Sequence, residues 1–375
     1  MAKQGYLVSV DLGAGQGAKI GLFTSPDRLL RENLLPTKRY GNTAEQLADG
    51  LVEHIAFLCA SQGATMKDVR GIGVASPGLF RSDGSYLLIA NIPFLNGRNL
   101  RQLLEERTGA PVRIDNDANA GGLAEWSAFR VELLYWVFGG GWGGAWISRD
   151  GEVRHPAVDW DGNDSSLHYT NEPGYAIPIE KMIIRSVLTL EGVPYERLER
   201  VLLDEFQPQD GVLRGPSGSA DHLRAETLLS GPGRGRLFRA VVGENDFYER
   251  FLSAEEVAEM KDSAVAGKHI SKLSAMRVEP AVITDRLFGR LLAHASRIMF
   301  RQGRKDGLPE NIPICLGGKP SRALVFFGPS CQRALGPRGI LSYLRPSIID
   351  ERGSNANLVG AAVLAEKAAK TSAEG

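Results

Sequence analysis

The stretch that most constrains this chain is a short strand that ends in acids and runs directly into a helix. Pro111-Val112-Arg113-Ile114 has the composition of a strand, and the pattern from Asn119 through Phe129 predicts a helix. Asp115, Asn116, Asp117 and Asn119 therefore gather two carboxylates and two amides at a strand-to-helix junction. Backbone N–H groups at a helix start lack partners and carry partial positive charge, so a carboxylate held there can stay ionised and accept a proton. Three chemistries fit such a segment: a calcium loop, an aspartyl nucleophile, and a general base for phosphoryl transfer.

The same alternation of strand and helix recurs along the chain. Tyr6 to Val10 is an apolar strand, with Ala18 to Phe23 as its hairpin partner. Thr43 and Gln46 have capping-box spacing ahead of Leu47, Leu51, Ile55 and Leu58. Val69 to Ala75 reads as a buried strand, and Asn99 to Thr108 as a helix stopped by Gly109. Strands alternating with helices imply an α/β fold, a sheet sandwiched by helices. Further on, Leu133 to Phe138 and Ala145 to Ser148 form a strand pair. Residues 180–285 read as a helical elaboration broken at Gly215-Pro216 and Gly231 to Gly235. A long helix over Ile283 to Arg301, a strand over Ile312 to Leu316 and an Ala-rich helix over Asn357 to Lys370 complete the pattern.

Two glycine turns stand out. Asp11-Leu12-Gly13-Ala14-Gly15-Gln16-Gly17 follows a strand, and Gly139-Gly140-Gly141-Trp142-Gly143-Gly144 joins two strands. Five glycines in six residues exceed what a hairpin needs, and each would cost about 0.5–1 kcal/mol in regular structure. The excess favours an anionic ligand lying against bare backbone. The first turn leads into a strand, unlike a dinucleotide-binding fingerprint, and Gly318-Lys319-Pro320-Ser321 places proline where a Walker A loop needs Ser or Thr.

Bulk properties narrow the partners. The 44 basic and 44 acidic residues cancel, which argues against nucleic acid or an anionic membrane as the main partner. No apolar stretch is long enough to span a bilayer. Cys59, Cys315 and Cys331 are scattered and odd in number, which fits a reducing, cytoplasmic setting.

Taken together, the two glycine hairpins, the acidic strand end between them and the late Gly317-Gly318 resemble the sugar kinase/Hsp70/actin ATPase superfamily, and within it the ROK family (repressors, open reading frames and kinases). The resemblance covers roughly Tyr6 to Gly174 and Ile312 to Ala365. It implies two actin-like (ribonuclease H-like) α/β lobes with a cleft. The small lobe is expected over 1–118, completed by helix 356–375, and the large lobe over 119–355. It further implies ATP and Mg²⁺ as cofactors, a small polyol substrate and a homodimer. Carried over residue by residue, Asp117 would be the general base, and Asn91, Asn116 and Glu172 would bind sugar hydroxyls. Gly13, Ala14 and Gly15, with Gly139, Gly140, Gly141 and Gly143, would hold the ATP phosphates. Gly317 and Gly318 would lie on the adenosine side, and Asp11 would organise Mg²⁺ through water.

The chain departs from that pattern. Glu172-Pro173-Gly174-Tyr175 places Tyr175 where the family has a sugar-contacting His, and no cysteine lies between Cys59 and Cys315. Zinc is therefore not expected. The family's second sugar-contacting Glu has no visible counterpart, and Gln16 stands near where Thr-Lys is commoner. His155, His168, Trp142, Trp146 and Trp160 read as structural, with His168 within reach of a substrate.

The alternatives differ in what they leave unexplained. A calcium loop needs Gly and Glu where Ala120 and Trp126 stand. A haloacid dehalogenase-like phosphatase would use Asp115 as nucleophile and leave the Gly139 turn idle. A non-catalytic sugar-binding pseudokinase or sensor uses the same fold; ROK repressors carry a DNA-binding segment for which the strand at Tyr6 leaves no room. The expected activity is ATP-dependent phosphorylation of a hexose hydroxyl, with an amino sugar or cyclitol as the alternative acceptor.

Overall fold

The computed structural model describes residues 5–13, 15–81, 83–155, 169–336 and 344–374. The chain divides into two compact units: Met1–Tyr135, Ala145–Ser166 and Ser347–Gly375 form the first, and Trp136–Gly144 with Leu167–Pro346 the second. No described helix is long and apolar enough to cross a membrane.

In the first unit, β1 (Tyr6–Leu12), β2 (Gly17–Ser25) and β3 (Arg28–Pro36) form an antiparallel meander. The strands β4 (Val69–Ser76) and β7 (Val112–Asn116) extend it in parallel, giving the order β3-β2-β1-β4-β7. The two-residue strand β5 (Leu79–Phe80) and β6 (Tyr86–Leu88) make a small hairpin beside the sheet's sequence path. Alternation along β1 sorts its side chains between two cores. Val8, Val10 and Leu12 join Leu47, Leu51 and Ile55 of α1 (Ala44–Ala60), whereas Leu7 joins Leu358, Ala362 and Ala365 of α13 (Ala356–Glu374). Period-2 burial on both faces is what a sheet covered by helices requires.

Helix α2 (Leu100–Thr108) is stopped by Gly109 at φ 67°, as its sequence predicts, and Asn99, expected as its first residue, is its N-cap. At α1, Thr43 caps Gln46 N–H, but the Gln46 side chain accepts from Asn42 N–H, one residue earlier than the capping box expected. Strand β3 went unread because its residues are mostly exposed and carry no apolar alternation. The helix α3 (Asp117–Phe129) starts two residues earlier than its sequence pattern, and α12 (Ile348–Glu351) is seated on it. The buried Glu125 carboxylate of α3 accepts from Ser347 Oγ and from the N–H groups of Ile348 and Ile349, so it caps α12.

The second unit is richer in helix. The strand β8 (Leu133–Phe138) begins in the first unit and ends in the second, and β9 (Trp142–Ile147) begins in the second and ends in the first. The second five-stranded sheet has the order β10-β9-β8-β13-β14, with β10 (Val153–Arg154), β13 (Ile314–Gly317) and β14 (Leu344–Pro346). The short α4 (Pro173–Ala176) precedes β11 (Pro178–Glu180), which pairs with β12 (His222–Arg224). Helices α5 (Lys181–Thr189), α6 (Tyr195–Phe206), α7 (Gly231–Val242), α8 (Ala254–Met260), α9 (Gly267–Ala275), α10 (Glu279–Gly303) and α11 (Leu324–Leu335) supply the rest. The Gly231-Pro232-Gly233 run, expected to break a helix, instead opens α7: Ser230 caps it and proline sits in its first turn. Helix α10 outruns its expected bounds at both ends. Between α7, α9 and α10, buried Arg234 pairs with buried Asp285 at 2.7–2.8 Å, and Ser274 and Ser271 complete the network.

Helix α13 lies close on β4 because β4 offers glycine. A Cβ at Gly73 would land on the carbonyl oxygen of Ala361, and one at Gly71 on that of Ala365. The obstacle is backbone, which cannot turn aside as a side chain can. Replacing Gly73 with Val is expected to cost about 3 kcal/mol or to prevent folding of the first unit. Urea unfolding followed by circular dichroism measures this; a loss below about 0.5 kcal/mol would mean that α13 can shift off the sheet.

Candidate functional site

Parallel pairing in the first unit puts the acidic residues in register. Asp11 of β1 lies opposite Ala75 of β4, and Ala75 lies opposite Asp115 of β7. The carboxyl ends of three strands thus finish side by side, where ligands of open α/β sheets gather.

Each polar side chain at this edge has distinct partners. Asp115 is buried, and its Oδ1 accepts from Asn116 N–H at 2.7 Å and from Asn119 Nδ2 at 2.8 Å. Burial pushes its carboxyl up, and these two donors oppose that shift. This carboxylate fixes the turn; it is not presented as a nucleophile. Asn116 is the N-cap of α3: its Oδ1 accepts from Ala118 N–H at 2.9 Å while its Nδ2 donates to Gly78 O at 3.1 Å. Asp117 is the first residue of α3 and also accepts from Ala118 N–H at 2.9 Å. Burial, and then the negative charge of Asp11, push its carboxyl up to about 6. A carboxylate so poised is protonated or ionised within the range where a base is most useful.

Asp11 is held from the far end of the chain. Asn355 Nδ2 donates to Asp11 Oδ2 at 2.8 Å and Asn357 Nδ2 to Oδ1 at 3.2 Å. Asn355 also caps the start of α13 through Leu358 N–H. Sequence reasoning missed this pair, for which the only signal was the Asn355-Ala356-Asn357 doublet ahead of an Ala-rich helix. The first glycine turn is likewise anchored: Tyr40 Oη donates to Gly13 O at 2.6 Å and Thr37 Oγ1 to Gly15 O at 2.7 Å. Burial and the Asp11 charge keep the Tyr40 phenol protonated, so it remains a donor. Ala14, expected in this turn, lies outside the described residues, as do His168 and Trp160. Asn91 is exposed in the loop after β6.

The second unit assembles its own set. The turn between β8 and β9 is Gly139-Gly140-Gly141, three residues shorter than expected, because β9 begins at Trp142 and takes in Gly143 and Gly144. Gly139 N–H donates to Gly141 O at 2.9 Å. A Cβ on Gly139 or Gly140 would meet nothing, so packing does not demand glycine there and the backbone stands bare. Two other turns converge on this hairpin. Gly231 N–H, opening α7, donates to Gly139 O at 2.9 Å, and Gly318 takes φ +84° with its Cα against Phe138 O. Trp142 is buried against Trp136 and Phe138, a packing role, and His155 lies against Trp146.

Beside the hairpin sits a carboxylate that sequence reasoning did not find. Glu226 Oε2 lies 2.6 Å from where a Cβ of Gly141 would be, and its Cβ 2.8 Å from that of Gly174. It is partly buried, and its carboxylate has no hydrogen-bond partner among the described residues. Burial pushes it up, against the opposing charges of Arg224 and Arg236. Glu172, at the start of α4, and Tyr175 belong to the same neighbourhood, with the Arg224 guanidinium 3.8 Å over the Tyr175 ring. Glu226 escaped notice because it lies in a three-residue 3₁₀ turn, Ala225–Thr227, whose place beside the hairpin depends on partners distant in sequence. The described residues contain no group of three or more His, Cys, Asp or Glu able to hold a metal ion.

Residues 7–155 match the family model "ROK family". The N-acetyl-D-glucosamine kinase of Erwinia tasmaniensis is 32% identical over 143 residues, which span 36% of this chain and 44% of that protein. The chain thus matches less than half the length of that relative. Among solved structures, a ROK family glucokinase from Streptomyces griseus, in complex with glucose and AMPPNP, superposes with a TM-score of 0.63 at 21% identity, covering 97% of this chain and 100% of that one. A ROK family transcriptional regulator, a homolog of the E. coli MLC protein, has a TM-score of 0.66 at 19% identity, covering 97% and 78%. The family-model match covers residues 7–155, less than half of the chain, and the likeness to the two solved ROK structures over nearly its whole length is one of fold.

Proposed function

We propose that the protein is an ATP-dependent kinase that transfers the γ-phosphate to a hydroxyl of a hexose or hexose-like acceptor. The observation that carries this reading is Asp117: a carboxylate at a helix start, beside Asp11, with its pKa pushed up to about 6. Phosphoryl transfer asks the protein mainly for positioning and charge stabilisation, together with a base to orient the nucleophile. Asp117 accepts the proton of the attacking hydroxyl as its oxygen bonds to the γ-phosphorus and ADP leaves. The backbone at Gly139 and Gly140, which no neighbour crowds, suits phosphate oxygens, and the Gly13 and Gly15 turn, pinned by Tyr40 and Thr37, offers a second such surface.

Asp11 suits a magnesium ion that arrives with the nucleotide. Its oxygens are hard donors, held in place by two amides, and Mg²⁺ typically takes one or two carboxylates with the rest from water and phosphate. Such an ion would neutralise phosphate charge.

In the second unit, Glu226 and Glu172 are well suited to accept hydrogen bonds from acceptor hydroxyls, and Tyr175 stands exposed near them; in the first unit, Asn116 and Asn91 are suited to donate them. An N-acetylated amino sugar and glucose lead the list of acceptors because relatives and fold neighbours carry those names. A cyclitol remains the next acceptor to try. The regulator among the fold neighbours keeps a second reading alive, a sugar-binding protein without turnover.

A coupled ADP-release assay over hexoses, amino sugars and cyclitols tests the reading. At least one acceptor should turn over; Asp117→Asn should lower kcat by 100-fold or more, roughly what a general base contributes, with acceptor KM little changed. Glu226→Gln should chiefly raise acceptor KM. Tight sugar binding without turnover of any acceptor would instead establish the sensor.

The raised Asp117 pKa has two consequences of opposite kind. The group must be ionised to act, so kcat/KM should rise with pH through an apparent pKa of about 6. Its folded pKa also exceeds the unfolded value of 3.8, so its contribution to stability is fully present below about pH 4 and is lost as pH rises through about 6. Asp117→Asn should therefore be more stable than the wild type at pH 7.5, by on the order of 2 kcal/mol. Urea titrations at pH 5 and pH 7.5 read this, and equal stability of the two proteins at pH 7.5 would contradict it.

A further inference from the structure

The helical part of the second unit holds a hollow of about 670 Å³ that none of the roles above uses. Its wall carries Arg197 and Arg200 of α6, Arg239 of α7 and Lys261 just beyond α8, against a single carboxylate, Glu244. The chain as a whole has no net charge, so this excess of cations is local.

Helix ends explain only part of it. Arg239 lies in the last turn of α7 and Lys261 follows α8, where the helix dipole favours a cation. Arg197 lies in the first turn of α6, where the same dipole disfavours one. The side chains of Arg197, Arg200 and Lys261 have no hydrogen bond or ion pair among the described residues, whereas Arg239 leans toward Glu205 at 3.4 Å. Three of the four cations therefore face the hollow without a carboxylate partner of their own. Tyr248 adds a phenol to the wall, its ring fixed edge-on to Phe238 at 5.1 Å. Guanidinium groups pair with phosphate oxygens two at a time, and the hollow is of the size that takes a small metabolite.

We infer that this hollow binds a small phosphorylated metabolite, separate from any nucleotide at the glycine hairpin. The inference does not depend on the kinase reading, since none of these residues belongs to the proposed catalytic set. Calorimetric titration of the full chain with inorganic pyrophosphate tests it. Saturable binding is expected that weakens as salt rises, because ion pairing is screened. Arg197→Ala with Arg200→Ala should weaken it at least tenfold, and Glu244→Gln should tighten it several-fold. A site at the glycine hairpin would be indifferent to these changes. If the double variant fails to fold, Lys261→Ala, at an exposed position, should still weaken binding several-fold. No saturable binding by the wild type, equal affinity in the variants, or binding only to phosphatidylserine vesicles would each overturn the proposal.

Discussion

Two carboxylates that would rather be apart are kept close at the carboxyl edge of one parallel sheet. Register places Asp11 and Asp115 on one rung, and the chain's next turn places Asp117 at the head of α3. Asn355 and Asn357 hold Asp11, while Asn119 and the Asn116 N–H hold Asp115. That scaffolding leaves Asp117 as the group whose protonation responds to its surroundings. Burial and the Asp11 charge together move it into the range where a base works near neutral pH. Stability is given up at this point, as is common where a site needs an uncomfortable charge.

The packing of α13 is what makes the arrangement possible. Glycines on β4 let α13 approach closely enough for its first residues to reach across to Asp11. A helix distant in sequence thereby supplies both the second face of the sheet and the amides that orient an acid. In the second unit, glycine serves differently. At Gly318 it accommodates a close backbone approach, whereas at Gly139 and Gly140 no neighbour demands it. Backbone left bare without a packing reason is the feature that a phosphate would use.

Much of this was legible in the sequence, for reasons that are local. Gly109 as a helix stop, Thr43 as a cap, and the apolar run of β1 each depend on neighbours within a few residues. The junction at 115–119 was legible for the same reason, although the cap proved to be Asn116. What could not be read depends on partners far along the chain. Asn355 and Asn357 matter only because α13 returns to β1, and Glu226 only because α7 starts against the glycine hairpin. Strand β3 was invisible because it is an exposed edge whose order comes from its neighbour β2. The Gly231-Pro232 run was misread because proline and glycine open a helix as readily as they end one.

The central claim is that Asp117 is a base tuned by burial and by Asp11. A ¹³C NMR titration of the Asp117 carboxyl, in the protein without nucleotide, measures this directly. The account predicts a midpoint near 6, moving toward the ordinary aspartate value in Asp11→Asn. A midpoint near 3.8 in the wild type, unmoved by that substitution, would contradict it.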